Sequence, residues 1–132
     1  MAKDYKVESL MICDDVRSEA NGKEIIIGLY KDEIIFDSLP AMLPTLAFRV
    51  AVRVAKQISG NMVLEVSGPD KKALLRHEVD RHVYDAGKLF GMVVHMSQVP
   101  FDTAGEYGVW FGINRKPEKI GTFTVRQGPV PK

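Results

Sequence analysis

The clearest feature of the chain is a stretch in which apolar and polar residues alternate. Between residues 46 and 54, large apolar side chains occupy every second position, and small or basic ones occupy the positions between them: Leu46, Phe48, Val50, Val52 and Val54 against Ala47, Arg49, Ala51 and Arg53. Successive side chains of a strand point to opposite faces, whereas a helix would scatter these apolar residues around its surface. The pattern predicts a strand with one buried face.

Shorter patterns of the same period predict further strands. Residues 6–14 and the β-branched run 24–30 predict a hairpin, because the Asn21-Gly22 pair between them tolerates the positive φ of a tight turn. Other predicted strands cover 62–66, 73–79, 90–99, 107–113 and 120–126. Two prolines predict an irregular crossing over 39–44, and the weak pattern over 80–89 allows a short helix.

About eight short strands at regular spacing favour an all-β domain, an antiparallel two-sheet sandwich. We expect a single domain over residues 1–126 and a flexible C-terminal tail over 127–132, which contains two prolines. A chain of 132 residues suits one domain and is long enough to bury a core without disulfides.

One short segment narrows the architecture. Residues 103–109 read Thr-Ala-Gly-Glu-Tyr-Gly-Val, which resembles the Asp-x-Gly-x-Tyr-x-Cys stretch of immunoglobulin-type sandwiches. Gly105 and Tyr107 match, while Thr103 stands in place of the aspartate and Val109 in place of the cysteine. The resemblance implies an immunoglobulin-like sandwich without its disulfide, in which Tyr107 hydrogen-bonds back to the corner backbone. An ordinary hairpin after a glycine turn is the alternative.

The chain as a whole resembles a family of small bacterial proteins of unknown function. The resemblance rests on seven segments, which are residues 10–17, 21–23, 27–30, 39–40, 43–44, 104–107 and 121–123. It implies a β-sandwich and a bacterial or phage setting, and it implies nothing about chemistry.

Composition restricts the setting and the partners. The net charge is +1, from 18 basic and 17 acidic residues without any block of like charges, which argues against nucleic-acid binding. The single cysteine, Cys13, and six methionines suit a reducing compartment. No apolar run has the length of a signal peptide or a membrane span, so we expect a cytoplasmic protein without membrane contact.

Three clusters of reactive residues were weighed, and for each a structural role is favoured. Cys13 lies beside Asp14 and Asp15, whose negative charges would raise rather than lower the thiol pKa. The same aspartates could meet other acidic residues and bind calcium, although their spacing matches no calcium loop: Asp32, Glu33 and Asp37. The residue types of a zinc site occur without convergent spacing at His77, Asp80, His82 and His95.

The sequence also lacks the glycine-rich and nucleophile motifs of nucleotide-binding proteins and hydrolases. We therefore predict no catalytic residue, no metal and no cofactor. An enzyme that uses His77 or His82 with a metal is the weakest alternative.

Two features predict contact with a partner. Trp110 shares one strand face with Gly108 and Gly112, which would leave a flat platform, unless the ring packs under the crossing at 39–44. Arg49 and Arg53 alternate with alanines, so that another surface could approach closely and pair its carboxylates with the guanidinium groups, unless this is an ordinary solvent face.

The prediction for function is a non-catalytic protein-binding or assembly module. It would bind a partner protein or a second copy of itself through an exposed sheet edge or the Trp110 face. The alternative is a small-ligand sensor whose pocket lies between the sheets and is lined by Phe90, Met92, Met96 and Trp110.

Overall fold

The structure, a computed structural model, describes residues 4–129, except for the side chains of Arg81 and His82. The strands run in the order β1 (Tyr5–Ser18), β2 (Glu24–Tyr30), β3 (Glu33–Phe36), β4 (Ala41–Val54), β5 (Ile58–Ser67), β6 (Ala73–Tyr84), β7 (Leu89–Phe101), β8 (Gly105–Ile113) and β9 (Glu118–Gln127). The described residues contain no helix, and the possible helix over 80–89 is instead the end of β6 and the turn into β7.

These strands form two sheets. Sheet A has four strands in the order β2-β1-β4-β7, and sheet B has five in the order β3-β9-β8-β5-β6. The prediction of an all-β domain with two sheets is confirmed. The prediction of purely antiparallel pairing is wrong, because β3 pairs with β9 in parallel, from Glu33 opposite Thr124 to Phe36 opposite Gln127.

The main core lies between the sheets. The five alternating apolar residues of β4 are fully buried there, as their period predicted. They pack against the inward side chains of sheet B, including Leu64, Val109, Phe111, Phe123 and Val125. Burial of this apolar surface is the main favourable term in folding.

The predicted crossing over 39–44 is wrong in its second half, where β4 has already begun at Ala41. The strand tolerates Pro44 because the pairing with β7 is interrupted there, between Leu43 opposite Val99 and Thr45 opposite Ser97. Gln98, on the β7 side of this gap, has a positive φ of 52°. A proline that donates no hydrogen bond fits such an irregular position.

The corner before β8 has the bond expected of a tyrosine corner. The Tyr107 hydroxyl donates to the Thr103 carbonyl oxygen at 2.8 Å. Gly105 precedes it with a φ of 136°, and a Cβ there would lie 2.7 Å from Cγ of Pro69. Only glycine fits this corner without a shift of the neighbouring loop.

At the C-terminal end, β9 continues through Gln127, and the Gly128 N–H donates to the Phe36 carbonyl oxygen at 3.0 Å. The strand therefore extends one residue into the predicted flexible tail, of which residues 130–132 lie outside the described part of the chain.

Candidate functional site: the faces and edges of the two sheets

The alternating arginine face of β4 lies on the outer face of sheet A, turned away from sheet B. Its alanines are buried, although they point away from the main core. Ala47 forms a second small apolar cluster with Cys13 and Val16, against which Ile26 and Val93 also pack. Because Val16 and Ile26 belong to the far end of the β1–β2 hairpin, this hairpin curls over the outer face and covers Ala47.

Polar contacts hold the curled hairpin in place, and we call them the hairpin clasp. The Arg49 guanidinium donates from Nη2 and Nε to Oε1 of Glu24, at 2.7 and 2.9 Å. His95 Nε2, on β7, lies 3.0 Å from the Val16 carbonyl oxygen and 3.3 Å from Oδ1 of Asp15. The sequence predicted that another surface would approach the alanines of this face and pair its carboxylates with the arginines. At Ala47 and Arg49, the chain's own β1–β2 hairpin does both.

Arg53 has an internal partner as well. Its Nε donates to Oε1 of Glu8 at 2.8 Å, on the neighbouring strand β1. This pair is more exposed than Arg49–Glu24, since half of the Arg53 side chain is accessible against 19% of Arg49. The arginine face therefore offers no unpaired guanidinium of these two residues to a partner.

Cys13 lies at the centre of the small outer cluster. It is fully buried, and burial raises the pKa of its thiol, with a further upward contribution from the charges of Asp14 and Asp15. The Asp15 backbone and Arg49 act in the opposite direction without overcoming burial. The side chain is a protonated thiol in an apolar setting, which suits packing and does not suit nucleophilic attack.

Trp110 lies on the outer face of sheet B, opposite Glu65 of β5. A Cβ on Gly108 would meet the six-membered ring of Trp110, so the ring lies flat on that glycine, and Lys119 Nζ sits 5.6 Å from the ring centroid. A Cβ on Gly112 would lie 2.9 Å from the Arg115 carbonyl oxygen. Both glycines are therefore covered by the chain itself, and the structure does not place a bare platform around the tryptophan.

The four residues predicted to line a ligand pocket do not line one cavity. Phe90, Met92 and Met96 point inward from β7, as their pairing with Val52, Val50 and Leu46 requires, whereas Trp110 is on the outer face of the other sheet. Phe90 borders a cleft that opens between β6 and β7, and Trp110 borders a separate, shallower one with Glu65, Ser67, Lys116 and Pro117.

This cleft, the β6–β7 cleft, has a volume of about 370 Å³. It is lined by Met62, Val79, Val83, Tyr84, Asp85, Lys88, Leu89, Phe90 and Gly91. The Tyr84 and Phe90 rings stack at its side with centroids 4.4 Å apart. Val83 and Leu89 are more than half exposed at its rim, so that the cleft is open, and Asp85 and Lys88 add charged groups to its otherwise apolar lining.

Four strands lie at sheet edges, and three of them carry features that discourage pairing with another chain. In β2, Gly28 has a positive φ of 66°, and β3 has only four residues. In β6, charged side chains alternate with apolar ones, and its register with β5 shifts. Short, charged or irregular edges are the usual protections of a sheet against edge-to-edge association.

The edge of β7 differs from the other three. Residues 89–97 read Leu-Phe-Gly-Met-Val-Val-His-Met-Ser, with no proline and no charged residue besides the titratable His95. Every one of these residues pairs in continuous register with β4. Long, regular and apolar edges of this kind are the ones that natural sheets usually protect from association with another strand.

The turn before β7 indicates which main-chain groups face that edge. Val54 N–H donates to the Lys88 carbonyl oxygen at 3.0 Å, and Gly87 N–H donates to the Val54 carbonyl oxygen at 2.7 Å. Because bonding direction alternates along a strand, the groups directed toward β4 belong to Phe90, Met92, Val94 and Met96. The groups directed to the open edge belong to Leu89, Gly91, Val93, His95 and Ser97.

The sequence analysis predicted contact through an exposed sheet edge but did not identify β7 as that edge. The signal that could have found it is the near absence of charge over residues 89–97, which contrasts with the charged run over 76–82. What the sequence does not contain is the strand order, which decides whether such a segment lies at an edge or in the middle of a sheet.

The remaining reactive residues have structural contacts. Asp14 accepts a bond from the Tyr30 hydroxyl at 2.9 Å, and Glu33 pairs with Arg126 at 3.1 Å. His77 is exposed on β6, and the side chain of His82 lies outside the described residues. Within the described part of the chain, no three His, Cys, Asp or Glu side chains are grouped as a metal site would require. No helix among those residues could span a membrane.

The fold and its surfaces define a small two-sheet β domain with four edge strands. Residues 8–126 match the model of a family of unknown function, DUF6941, and the chain belongs to that family. A comparison with curated protein sequences gives no match.

Solved structures show where this fold occurs elsewhere. The chain is similar to the C-terminal domain of Wzt, with a TM-score of 0.55 and 11% identity over 94% of this chain and 74% of that one. A β-glucosidase from Listeria innocua gives a TM-score of 0.46 at 12% identity, over 92% of this chain and 16% of the enzyme. The first likeness indicates a shared fold, and the second supports no argument.

Proposed function

We propose that this protein is a non-catalytic protein-binding module that accepts an extended segment of a partner along the edge of β7. The observation that carries the proposal is the contrast among the four edges, of which β7 alone offers a long stretch, residues 89–97, that is regular and uncharged apart from His95. Addition of a strand to a sheet edge gives affinity through main-chain hydrogen bonds, with specificity from side chains at alternate positions.

The surroundings of β7 support the same use. The exposed apolar side chains of Val83 and Leu89 lie beside its first residues, where an added strand would cover them. A carboxylate-bearing partner at the arginine face has less support, because the carboxylates of Glu24 and Glu8 already occupy Arg49 and Arg53.

The second candidate is a small-ligand sensor, and the β6–β7 cleft is the observation that favours it. A cavity of about 370 Å³ falls within the range of small-molecule sites, and the Tyr84–Phe90 stack gives it an aromatic wall. A thermal-shift screen separates the two proposals, since a ligand that binds only the folded state raises the unfolding temperature, and the rise grows with the logarithm of its concentration relative to its dissociation constant. A large shift with one compound would favour the sensor.

We also infer an immunoglobulin-like connectivity. Support comes from the chain order, in which β1, β4 and β7 share sheet A while β5, β6, β8 and β9 share sheet B, and from the Tyr107–Thr103 bond at the corner before β8.

The test of the proposed function uses a displayed library of random peptides long enough to pair with residues 89–97. Clones enriched on the natural protein are then measured against Gly91→Pro and its matched control, Gly91→Ala. Proline removes an N–H that points to the open edge and leaves the bonds to β4 intact, whereas alanine keeps that N–H. We expect binding to weaken about tenfold or more with Gly91→Pro and to be unchanged with Gly91→Ala.

A second variant distinguishes a loss of edge pairing from a loss of binding caused by misfolding of Gly91→Pro. Ser97→Lys places a charge on the exposed end of the same edge, as natural edge strands do, and leaves the backbone unchanged. Equal binding of the enriched clones to all variants would contradict the proposal.

A further inference from the structure

The side chains of β6 that face the interior are incompletely covered. By register, Leu75, His77 and Val79 lie on the same face of sheet B as the buried Val66, Leu64 and Met62 of β5. His77 is nevertheless exposed, and Leu75 and Val79 are only half-buried. Sheet B therefore reaches past the edge of sheet A at β6, and a strip of its inner face lies open beside β7.

The two sides of this gap have a common chemistry. From β7 the inward side chains are Phe90, Met92, Val94 and Met96, and from β6 they are Leu75, His77 and Val79. His77 is the single titratable group among these seven, while Asp85 and Lys88 stand at the rim of the β6–β7 cleft. A charged side chain placed in this gap would lose its hydration without gaining an ion pair.

From these observations, and resting on the proposed function, we infer that the partner segment is an amphipathic strand with period two. Its residues opposite Phe90, Met92, Val94 and Met96 point into the gap and are apolar. The residue opposite Phe90 is large, because it enters the β6–β7 cleft beside Val83 and Tyr84. The intervening residues, opposite Gly91, Val93 and His95, point to solvent and carry the main-chain bonds to β7.

The position of β6, which extends past the edge of sheet A, favours one strand from a different chain over a second copy of this one. In a two-fold pairing of β7 with β7 of a second copy, the β6 strands of both copies would lie under the same joined edge. A single extended segment needs only the space beside β7 and leaves β6 in place.

The inference predicts how two patterns along the partner segment are related, the apolar side chains and the bonded N–H groups. A nonspecific apolar contact would not produce this relation. In a strand added antiparallel to β7, the N–H groups that bond to β7 belong to the residues pointing to solvent, because bonding direction and side-chain direction alternate together. The N–H groups of the inward apolar residues point away from β7. Positions that require an apolar side chain and positions that require a free N–H should therefore alternate.

The experiment takes the enriched peptides of the displayed library, synthesises one of them, and scans it by single N-methylation and by single replacement with aspartate. We expect N-methylation to weaken binding about tenfold at alternate positions. Aspartate should weaken it at the positions between those, and most at the one opposite Phe90.

Two protein variants test whether the large apolar residue of the peptide enters the β6–β7 cleft. Val83→Arg places a charge at the rim of the cleft, on a side chain that is 58% exposed, and should weaken binding about tenfold or more. Met42→Arg is the matched control, since Met42 is 59% exposed and lies outside the cleft lining. It should leave binding unchanged.

The outcomes separate this inference from the proposed function. Binding that depends on the Gly91 N–H but shows no alternation, or that is insensitive to Val83→Arg, would overturn the inference and leave the proposed function standing. Binding that is equal in Gly91→Pro and Gly91→Ala would overturn both, as would a library that yields no enriched peptide. Sedimentation of the protein without peptide tests whether the β7 edge pairs instead with a second copy of the chain. A dimer that Ser97→Lys abolishes would also contradict the inference.

Discussion

The two edges of sheet A, β2 and β7, are built in opposite ways. The β2 edge belongs to a hairpin that curls over the outer face and is fixed by the hairpin clasp, with Glu24 on Arg49 and Val16 near His95. The β7 edge has a regular backbone over residues 89–97, and no hairpin of the described part of the chain curls over it. The chain covers one side of the sheet with its own residues, and the partner that we propose would bind at the other side.

This difference arises from length and irregularity. Strand β1 has 14 residues and extends past the end of its pairing with β4 at Cys13 opposite Ala47. The far part of the hairpin is therefore free to bend, and Gly28 provides the irregular position in β2. Strand β7 pairs with β4 along almost its whole length, from Leu89 opposite Arg53 to Phe101 opposite Ala41, so it cannot bend away.

The largest expected effect contrasts one glycine from each edge. Gly28 has a φ of 66°, and a Cβ there would overlap the side chain of Asp14. Gly28→Ala should therefore lower the free energy of unfolding by about 2 kcal/mol, because the backbone conformation is strained for alanine and the carboxylate must move. Urea unfolding of the purified variant measures this loss.

Gly91→Ala is the comparison at the open edge. Gly91 lies outside the left-handed region, and the nearest atom to a new Cβ is Nη2 of Arg49 at 3.7 Å, an ordinary contact. Its unfolding free energy should stay within about 0.5 kcal/mol of the natural protein. Similar losses in the two variants would show that the two edges are equally constrained.

The sequence correctly predicted those features that depend on residues close together along the chain. Alternation over residues 46–54 identified the buried face of β4, and the same parity correctly placed Trp110 opposite Tyr107, Val109 and Phe111. Strand β3 was missed because the Glu-Ile-Ile-Phe segment does not alternate, and its partner β9 lies about ninety residues away.

The candidate sites depended on contacts that no local pattern encodes. Arg49 was identified as a pairing group, but its carboxylate is that of Glu24, 25 residues away, brought over by the curl of the hairpin. The β7 edge follows from the strand order, which is a property of the whole sheet.

The next prediction concerns Tyr30, which anchors the base of the curled hairpin through its bond to Asp14. Burial and the Asp14 carboxylate raise the pKa of Tyr30 from near 10.0 to about 12. Because the pKa is higher in the folded than in the unfolded chain, the neutral hydroxyl contributes fully below pH 10. That contribution is lost as the pH rises from 10 to 12.

The measurement is the free energy of unfolding of the natural protein and of Tyr30→Phe at several alkaline pH values. We expect the difference between them to shrink by on the order of 1 kcal/mol over this interval, allowing for solvent screening at a half-buried site. Tyr84 and Tyr107 also have raised pKa values, but their contributions to the pH dependence cancel in this difference because both proteins contain them. A difference that stays constant with pH would exclude this role for Tyr30.

The smallest effect tests whether the clasp itself distinguishes the two edges. A double-mutant cycle with Glu24→Gln and Arg49→Gln should give a coupling energy of about 0.5–1 kcal/mol, because two hydrogen bonds join the pair and it is partly shielded from solvent. The matched cycle, Glu8→Gln with Arg53→Gln, should give a smaller coupling, since that pair has one bond and is more exposed. If the two couplings are equal and both vanish in high salt, the curl of the hairpin is held by the apolar cluster around Cys13, and the polar clasp only follows the shape that packing imposes.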